Sequence, residues 1–295
     1  MQTMASILFG VLNVCNLPMK SDPPLDWSVM RPTVVKGVEV MRAHFVEHSF
    51  DRHSHETWSF GVTYQGHQTF NCRGSTETST PGNVMVFRPD DSHDGHGEDE
   101  HGFHYAMIYV PHERVQTSLQ EAGVISGGDF QHALLRDLSG AQILSDTVDA
   151  LMQGQEALRA DALLSQSLVC LFERHARFQA SMFVDATDSA WLPQVRDYLE
   201  AHYASNVHVD ELAQLAKVSR IHLTRSFSKC YGLPPHCYLN NVRLRHAKQQ
   251  LSGGRGIADV AVSCGFSDQS HLTRRFKGCY GITPGAWLGA RVSDF

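Results

Sequence analysis

No Cys-x-x-Cys pair occurs anywhere in the chain. The seven cysteines (Cys15, Cys72, Cys170, Cys230, Cys237, Cys264 and Cys279) form an odd, scattered set. That excludes a disulfide framework and a thiolate zinc site, and it points to a reducing compartment. No apolar run approaches the ~20 residues that a membrane-spanning helix needs. The opening stretch is mildly apolar but has neither a basic start nor an A-x-A-like cleavage site, so a signal peptide is not expected. The expectation is a cytoplasmic protein with no membrane partner. Charged residues make up 19% and hydrophobic residues 42% of the 295 positions. Those proportions suit an ordinary globular chain with room for two domains and a substantial core.

Charge is unevenly spread. The net charge of −6 combines 24 acidic and 12 basic side chains in residues 1–189 with 7 acidic and 13 basic in residues 190–295. A basic C-terminal part joined to an acidic N-terminal part suits a nucleic-acid-binding domain attached to something that stays off the nucleic acid.

Within the basic part the same unit occurs twice, and repeats are settled before other features. His222, Leu223, Thr224, Arg225, Phe227, Cys230, Tyr231, Gly232 and Pro235 recur 49 positions later, as His271, Leu272, Thr273, Arg274, Phe276, Cys279, Tyr280, Gly281 and Pro284. Upstream of Ser219 and Ser267 the offset is 48, so the second copy carries one extra residue in its turn. Each copy reads as helix, tight turn, helix, over about 208–232 and 257–281. Leu212, Ala213, Leu215 and Ala216 make the first apolar face, and Ile257, Val260 and Ala261 the second. Ser219 and Ser267 are the expected N-caps of the second helices, and Gly232 and Gly281 their stops. This outline is a helix-turn-helix, whose second helix lies in a major groove. Leu223 and Phe227, like Leu272 and Phe276, sit at i and i+4 and should face a core. Arg220, Ile221, Thr224 and Arg225 then face outward, as do Asp268, Gln269, Ser270, Thr273 and Arg274. Arginine and glutamine match guanine and adenine edges, and Thr or Ile can touch the thymine methyl.

The segment 191–290 resembles the DNA-binding domain of the AraC family of bacterial transcription regulators. The resemblance is carried by "DELAQLAKVS" (210–219), "LTRSF" (223–227), "GLPPHCYLNNVRLRHAKQQL" (232–251), "IADVAVSCGFSDQSHLTRRFK" (257–277) and "GITP" (281–284). It implies two helix-turn-helix units, joined by one helix, that read successive major grooves on one face of double-stranded DNA. Two positions depart from the family pattern. Lys217 stands where the first turn usually has Gly, which implies strain of roughly 1 kcal/mol if φ is positive there. His208 stands where a Thr or Ser cap is usual. On the joining helix Leu244, Ala247 and Leu251 should face inward. Arg243, Arg245 and Lys248 are then candidates for phosphate contact or a solvated face.

The N-terminal half reads as short strands after an arm at 1–30. "TVVKGVEVMRAHF" (33–45), "TWSFGVTY" (57–64), "HQTFNCR" (67–73), "NVMVFR" (83–88) and "HYAMIYV" (104–110) are rich in β-branched and aromatic residues. Turn residues separate them, as in a small antiparallel barrel or jelly roll over 31–110. Helical periodicity follows over 111–180, for example at Leu164, Leu168 and Leu171, as a segment that packs on the barrel or dimerises. A linker is expected at 181–190. The fold class is therefore α+β in two domains, with a cupin-like N-terminal barrel and an all-α C-terminal double helix-turn-helix.

His53, His55 and the later His93 resemble the HxH motif and third histidine that line a cupin pocket. The Glu of metal-binding cupins should stand four residues after the second His, where this chain has Ser59 and places Glu56 beside His55 instead. Together with the AraC resemblance this implies a sensor without metal or other cofactor. The acidic, histidine-rich stretch "DDSHDGHGEDEHGFH" (90–104) is expected to be a solvated loop. A small-molecule pocket needs an apolar lining with a few convergent polar groups, and His55, Trp58, Tyr64, His93 and Tyr105 are the effector-binding candidates.

The whole is expected to be an effector-responsive, homodimeric, sequence-specific activator rather than an enzyme, with RNA polymerase as a further partner. Two alternatives stay open on the residues alone. One is a constitutive regulator whose barrel only dimerises. The other is a metal-dependent cupin enzyme using His53, His55 and His93.

Overall fold

A computed structural model describes residues 26–124, 128–153, 157–177 and 190–292. The expected arm, up to residue 25, and the expected linker at 181–189 lie outside the described residues. The N-terminal domain is built from β1 (Trp27–Pro32), β2 (Glu39–Phe45), β3 (Phe50–His53), β4 (Trp58–Gln65), β5 (Gln68–Cys72), β6 (Ser75–Ser79), β7 (Val84–Phe87), β8 (His93–Gly97) and β9 (Phe103–Val110). There follow α1 (His112–Glu121), β10 (Asp129–Phe130), β11 (Leu134–Leu135), α2 (Leu138–Met152), α3 (Ala157–His175) and β12 (Ala176–Arg177). One antiparallel sheet has the order β1-β2-β9-β4-β7-β11, a second has the order β3-β8-β5-β6, and β10 pairs with β12. Together they form the cupin-like barrel.

Alternation explains why the strands of the larger sheet read as almost continuous apolar runs. Successive side chains point to opposite faces, and here both faces are covered. Phe103, Tyr105, Met107 and Tyr109 of β9 share one core with Met41, Ala43 and Phe45 of β2, Met85 and Phe87 of β7, and Phe70 and Cys72 of β5. Ala106, Ile108 and Val110 of the same β9 join Trp58, Phe60 and Val62 of β4 in a second core. That core is closed by Leu144, Val148 and Leu151 of α2 and Leu164, Leu168 and Leu171 of α3. The periodic leucines of α3 are thus buried against the chain's own sheet.

The C-terminal domain contains α4 (Leu192–Ala201), α5 (Val209–Ala216), α6 (Arg220–Tyr231), α7 (Pro235–Ser252), α8 (Ile257–Ser263), α9 (Gln269–Tyr280) and α10 (Pro284–Val292). Gly232 and Gly281 end α6 and α9 with φ of 71° and 68°. Ser219 caps α6 by accepting from the His222 N–H. In the second copy Asp268 is the cap, accepting from the His271 N–H, rather than Ser267. The extra residue in that turn moves the cap by one, so Asp268 holds the place that Ser219 holds in the first copy. Lys217 ends α5 with φ 54°, and its counterpart Gly265 has φ 80°.

Two strand expectations differ from what is observed. β1 begins at Trp27, so residues 27–30 of the expected arm belong to the sheet, with Met30 buried in the barrel core. The stretch 90–104 is not wholly a solvated loop, because β8 lies within it, pairs with β3 and β5, and buries His93 and Gly95. β3 and β8 are made of His, Asp, Gly and Arg with one Phe, so no propensity pattern marks them.

Candidate functional site

The DNA-facing candidates come to the outer sides of α6 and α9, over buried Leu223, Phe227, Leu272 and Phe276. Arg220, Ile221 and Arg225 are exposed and Thr224 is half-buried; Gln269, Ser270 and Arg274 are exposed and Thr273 half-buried. Ile221, at 67% exposure, is an apolar side chain presented to solvent at the start of a helix. Two candidates have local duties as well. Arg220 pairs with Asp210. Asp268 is held below its usual carboxylate range by the His271 N–H and the Ser267 hydroxyl, so its acceptors serve the cap before any base.

The joining helix α7 differs more from expectation. Arg243 donates to the carbonyls of Tyr203 and Ser205. Arg245 pairs with Glu200 at 2.6 Å and Glu56 at 3.5 Å. Lys248 pairs with Glu39 at 2.5 Å and lies over the rings of Tyr280 and Trp287. These cations tie helices to one another and to the barrel, which removes them from the phosphate-contacting or solvated face foreseen for them.

Of the barrel candidates, Trp58 and Tyr64 lie on the face of β4 that turns toward α2 and α3. Trp58 packs on Phe130 and Phe172 and donates to His112 Nδ1 at 3.1 Å. Tyr64 packs on the same helix-covered core, beside Arg42. Neither points into the barrel. Alternation gives two faces to a strand, and with both buried the sequence did not say which was inside. Tyr105 does point in, packed among Phe45, Phe50 and Phe103 at 2% exposure. Tyr105 is part of a filled interior. A Cβ added at Gly61 would come within 2.9 Å of the Met85 and Met107 methyls.

His55 and His93 are brought together, with His53 between them. The ring centroids lie 4.4 Å apart for His53 and His93, 4.8 Å for His53 and His55, and 5.2 Å for His55 and His93. His53 Nδ1 lies 2.5 Å from the Asp51 carbonyl oxygen and His93 Nδ1 lies 2.9 Å from that of Asp91. Carbonyl oxygens only accept, so both Nδ1 atoms carry the proton and both Nε2 atoms are left with a lone pair. His55 Nε2 sits 3.2 Å from His53 Nε2. Burial, reinforced by the neighbouring rings, pushes His53 down to about 3 and His55 well below its ordinary value. Burial pushes His93 down to about 4. The Asp91 main chain is itself fixed. Burial raises its carboxyl, but hydrogen bonds from Arg73 and Arg88 outweigh that and hold it below its usual range.

Of these histidines, His55 borders a cleft of about 700 Å³ between the barrel mouth and the C-terminal domain. Met30, Glu39, His55, Glu56 and Tyr109 line one side, and Tyr238, Asn241, Arg245, Lys248 and Tyr280 the other. Tyr280, the last residue of α9, stacks on His55 with centroids 5.9 Å apart and planes 26° apart. The Lys248–Glu39 and Arg245–Glu56 pairs cross the cleft, and Asn241 donates to Ser54 at 3.1 Å. The C-terminal half of this lining was missed from sequence. The one available signal was Tyr280 itself, a large aromatic at the end of a reading helix.

Comparison with known proteins identifies the two domains. The model of the AraC-like ligand-binding domain matches residues 35–170, and a helix-turn-helix domain model matches residues 212–290. The HTH-type transcriptional regulator YbfI of Bacillus subtilis (strain 168) is 29% identical over 243 residues, covering 79% of this chain and 85% of its own. YijO of Escherichia coli (strain K12) is 31% identical over 144 residues, 48% of this chain and 49% of its own. Among solved structures, unsaturated-fatty-acid-bound ToxT of Vibrio cholerae superposes with a TM-score of 0.55 at 12% identity. It covers 87% of this chain and 95% of that one, a likeness of fold. Fold, reading helices and sensor-type barrel together define a DNA-binding transcription regulator with a ligand-binding domain, not an enzyme. The chain belongs to the AraC family. No helix among the described residues is long and apolar enough to cross a membrane.

Proposed function

We propose that this chain is an effector-responsive, sequence-specific transcription activator whose effector binds in the cleft between the barrel and the second helix-turn-helix unit. The observation that carries this reading is that one cleft of about 700 Å³, the size of a small-molecule site, is walled by both domains. An occupant there differs in contacts between docked and undocked arrangements, which is the requirement for shifting their balance. Of the effector candidates, His55 borders the cleft directly, His93 supports His55 from behind, and Tyr105 lies deeper in the barrel. Trp58 and Tyr64 drop out because of the face they occupy.

Glu39, Glu56, Asp90 and Glu113 face Arg245 and Lys248 around the lining, so the cleft favours a compact polar metabolite over a long apolar chain. The fatty acid named for ToxT makes fatty acids the natural contrast in a screen. DNA reading is assigned to Arg220, Ile221, Thr224 and Arg225 in one groove and to Gln269, Ser270, Thr273 and Arg274 in the next, with Asp268 chiefly as cap. A homodimer that contacts RNA polymerase follows from the family resemblance. Light scattering of the purified protein tests the dimer.

The test of the sensor reading is a thermal-shift screen of the full chain against polar metabolites and fatty acids. A true effector raises the midpoint with concentration, as mass action requires. Silence across the panel would favour the constitutive regulator.

A further inference from the structure

Three imidazoles, His53, His55 and His93, meet at the barrel mouth. Their ligand nitrogens all lie within 4.8 Å of one another. Two of the three rings already have the arrangement that metal-binding histidines take, with Nδ1–H held by a main-chain carbonyl and Nε2 left as the donor. That support fixes both rings without using the donor atom. His93 is held further by Phe87, stacked 4.0 Å away with planes 3° apart. His53 Nε2 meets His55 Nε2 at 3.2 Å, and a cation between the rings would satisfy both free lone pairs together.

We propose that His53, His55 and His93 form a three-imidazole site for a divalent first-row transition ion of the zinc, cobalt or nickel kind, open on the cleft side. Imidazole-only donor sets suit these ions and not magnesium or calcium, which take oxygen ligands. At the ~2.0–2.1 Å bonds typical of Zn–N, tetrahedral ligand nitrogens sit roughly 3.4 Å apart. His53 and His55 are already closer than that, at 3.2 Å. The ligand nitrogens span at most 4.8 Å, and His55 is the half-buried ring of the three. No thiolate or carboxylate belongs to the cluster, so the position facing the cleft is left for water or for an oxygen of the effector. The absence of the usual cupin glutamate, whose place Ser59 takes, therefore leaves an open position on the ion. Because Tyr280 stacks on His55, the ion would sit directly beneath the end of the second reading helix.

The test uses Co²⁺ alone, added to the full chain after chelator treatment, with the visible ligand-field absorption and the melting temperature as readouts. The expected result is a band that saturates at about one equivalent, with a raised melting temperature. In His55→Gln and His93→Gln the Co²⁺ affinity should fall by about 100-fold or more. Exposed His96 and His101 serve as controls, and His96→Gln and His101→Gln should bind Co²⁺ as the wild type does. If His93→Gln fails to fold, His55→Gln decides the matter, since its side chain borders open space. Co²⁺ binding that survives His55→Gln, or that is lost in the control variants instead, would overturn the site, as would no saturable binding. The outcome is separable from the effector reading. A metabolite shift without a cobalt signal removes the ion and leaves the sensor, and a cobalt signal without a metabolite shift does the reverse.

Discussion

In the first reading unit Leu212, Leu223 and Phe227 close on Leu192, Val195 and Leu199 of α4 and on Leu239 of α7, a cluster of their own. In the second unit the equivalent Leu272 and Phe276 share one core with Phe45, Phe103 and Tyr105 of the barrel. The repeat is the same; the neighbours are not. Cys230 is exposed and Tyr231 half-buried, whereas Cys279 and Tyr280 are buried against the barrel. Gly281 shows how close the docking is. Its φ is 68°, and a Cβ there would come within 2.9 Å of the Phe45 ring. α6 meets the barrel at its end, where Gly232 lies beside Ser92. The ligand-binding-type barrel therefore has a direct hold on the second helix-turn-helix unit and a slight one on the first.

The largest expected effect separates the two cores. Phe227→Ala and Phe276→Ala should each cost about 3–5 kcal/mol, as large buried aromatics do. Calorimetry should show Phe227→Ala lowering the C-terminal transition alone, and Phe276→Ala lowering the barrel transition as well. Equal, local losses would mean that the shared core adds nothing to the barrel.

Next come the reading faces. Arg225→Ala and Arg274→Ala should each weaken binding to the specific site by about 1–3 kcal/mol, with a much smaller loss on random DNA. Equal losses on both DNAs, measured by titration at fixed salt, would reduce that arginine to a phosphate contact.

The turns offer a smaller, signed test. Lys217→Gly should stabilise the chain by about 1 kcal/mol, because glycine takes positive φ without strain. Gly265→Lys should cost more than that, since its Cβ would also come within 2.9 Å of the Ala204 carbonyl oxygen. Denaturant midpoints check both.

A pH-dependent effect belongs to the barrel alone. Burial, with Arg42 and His44 nearby, pushes His104 down to about 4. Its folded value lies below its unfolded one, so the unfolded chain binds the extra proton first. The stability this neutral ring contributes is present above about pH 6.5 and is lost as pH falls toward 4. His104→Leu should flatten that part of the pH profile.

Much of the helical domain was legible because local chemistry determines it. Gly232 and Gly281 stop their helices, Ser219 caps, and the Leu and Phe spacing chooses the buried face. The misplaced cap was legible too, since the change of offset from 48 to 49 already put Asp268 opposite Ser219. Trp58 and Tyr64 went to the wrong face because both faces of β4 are buried, and alternation does not distinguish them. β3 and β8 were hidden because His53 and His93 sit in segments of His, Asp, Gly and Arg with one Phe. The barrel partners of Arg245 and Lys248 are Glu56 and Glu39, at the other end of the chain, and no local pattern announces such a contact.

The first measurement to make is amide hydrogen exchange in α6 and α9 of the full chain, in the wild type and in Lys248→Met. That substitution removes the Glu39 pair and the cation over Tyr280. If the barrel holds the second reader, exchange should quicken in α9, α10 and the β1–β2 edge while α6 is unchanged. Equal acceleration in α6 and α9, or none in either, would contradict that hold.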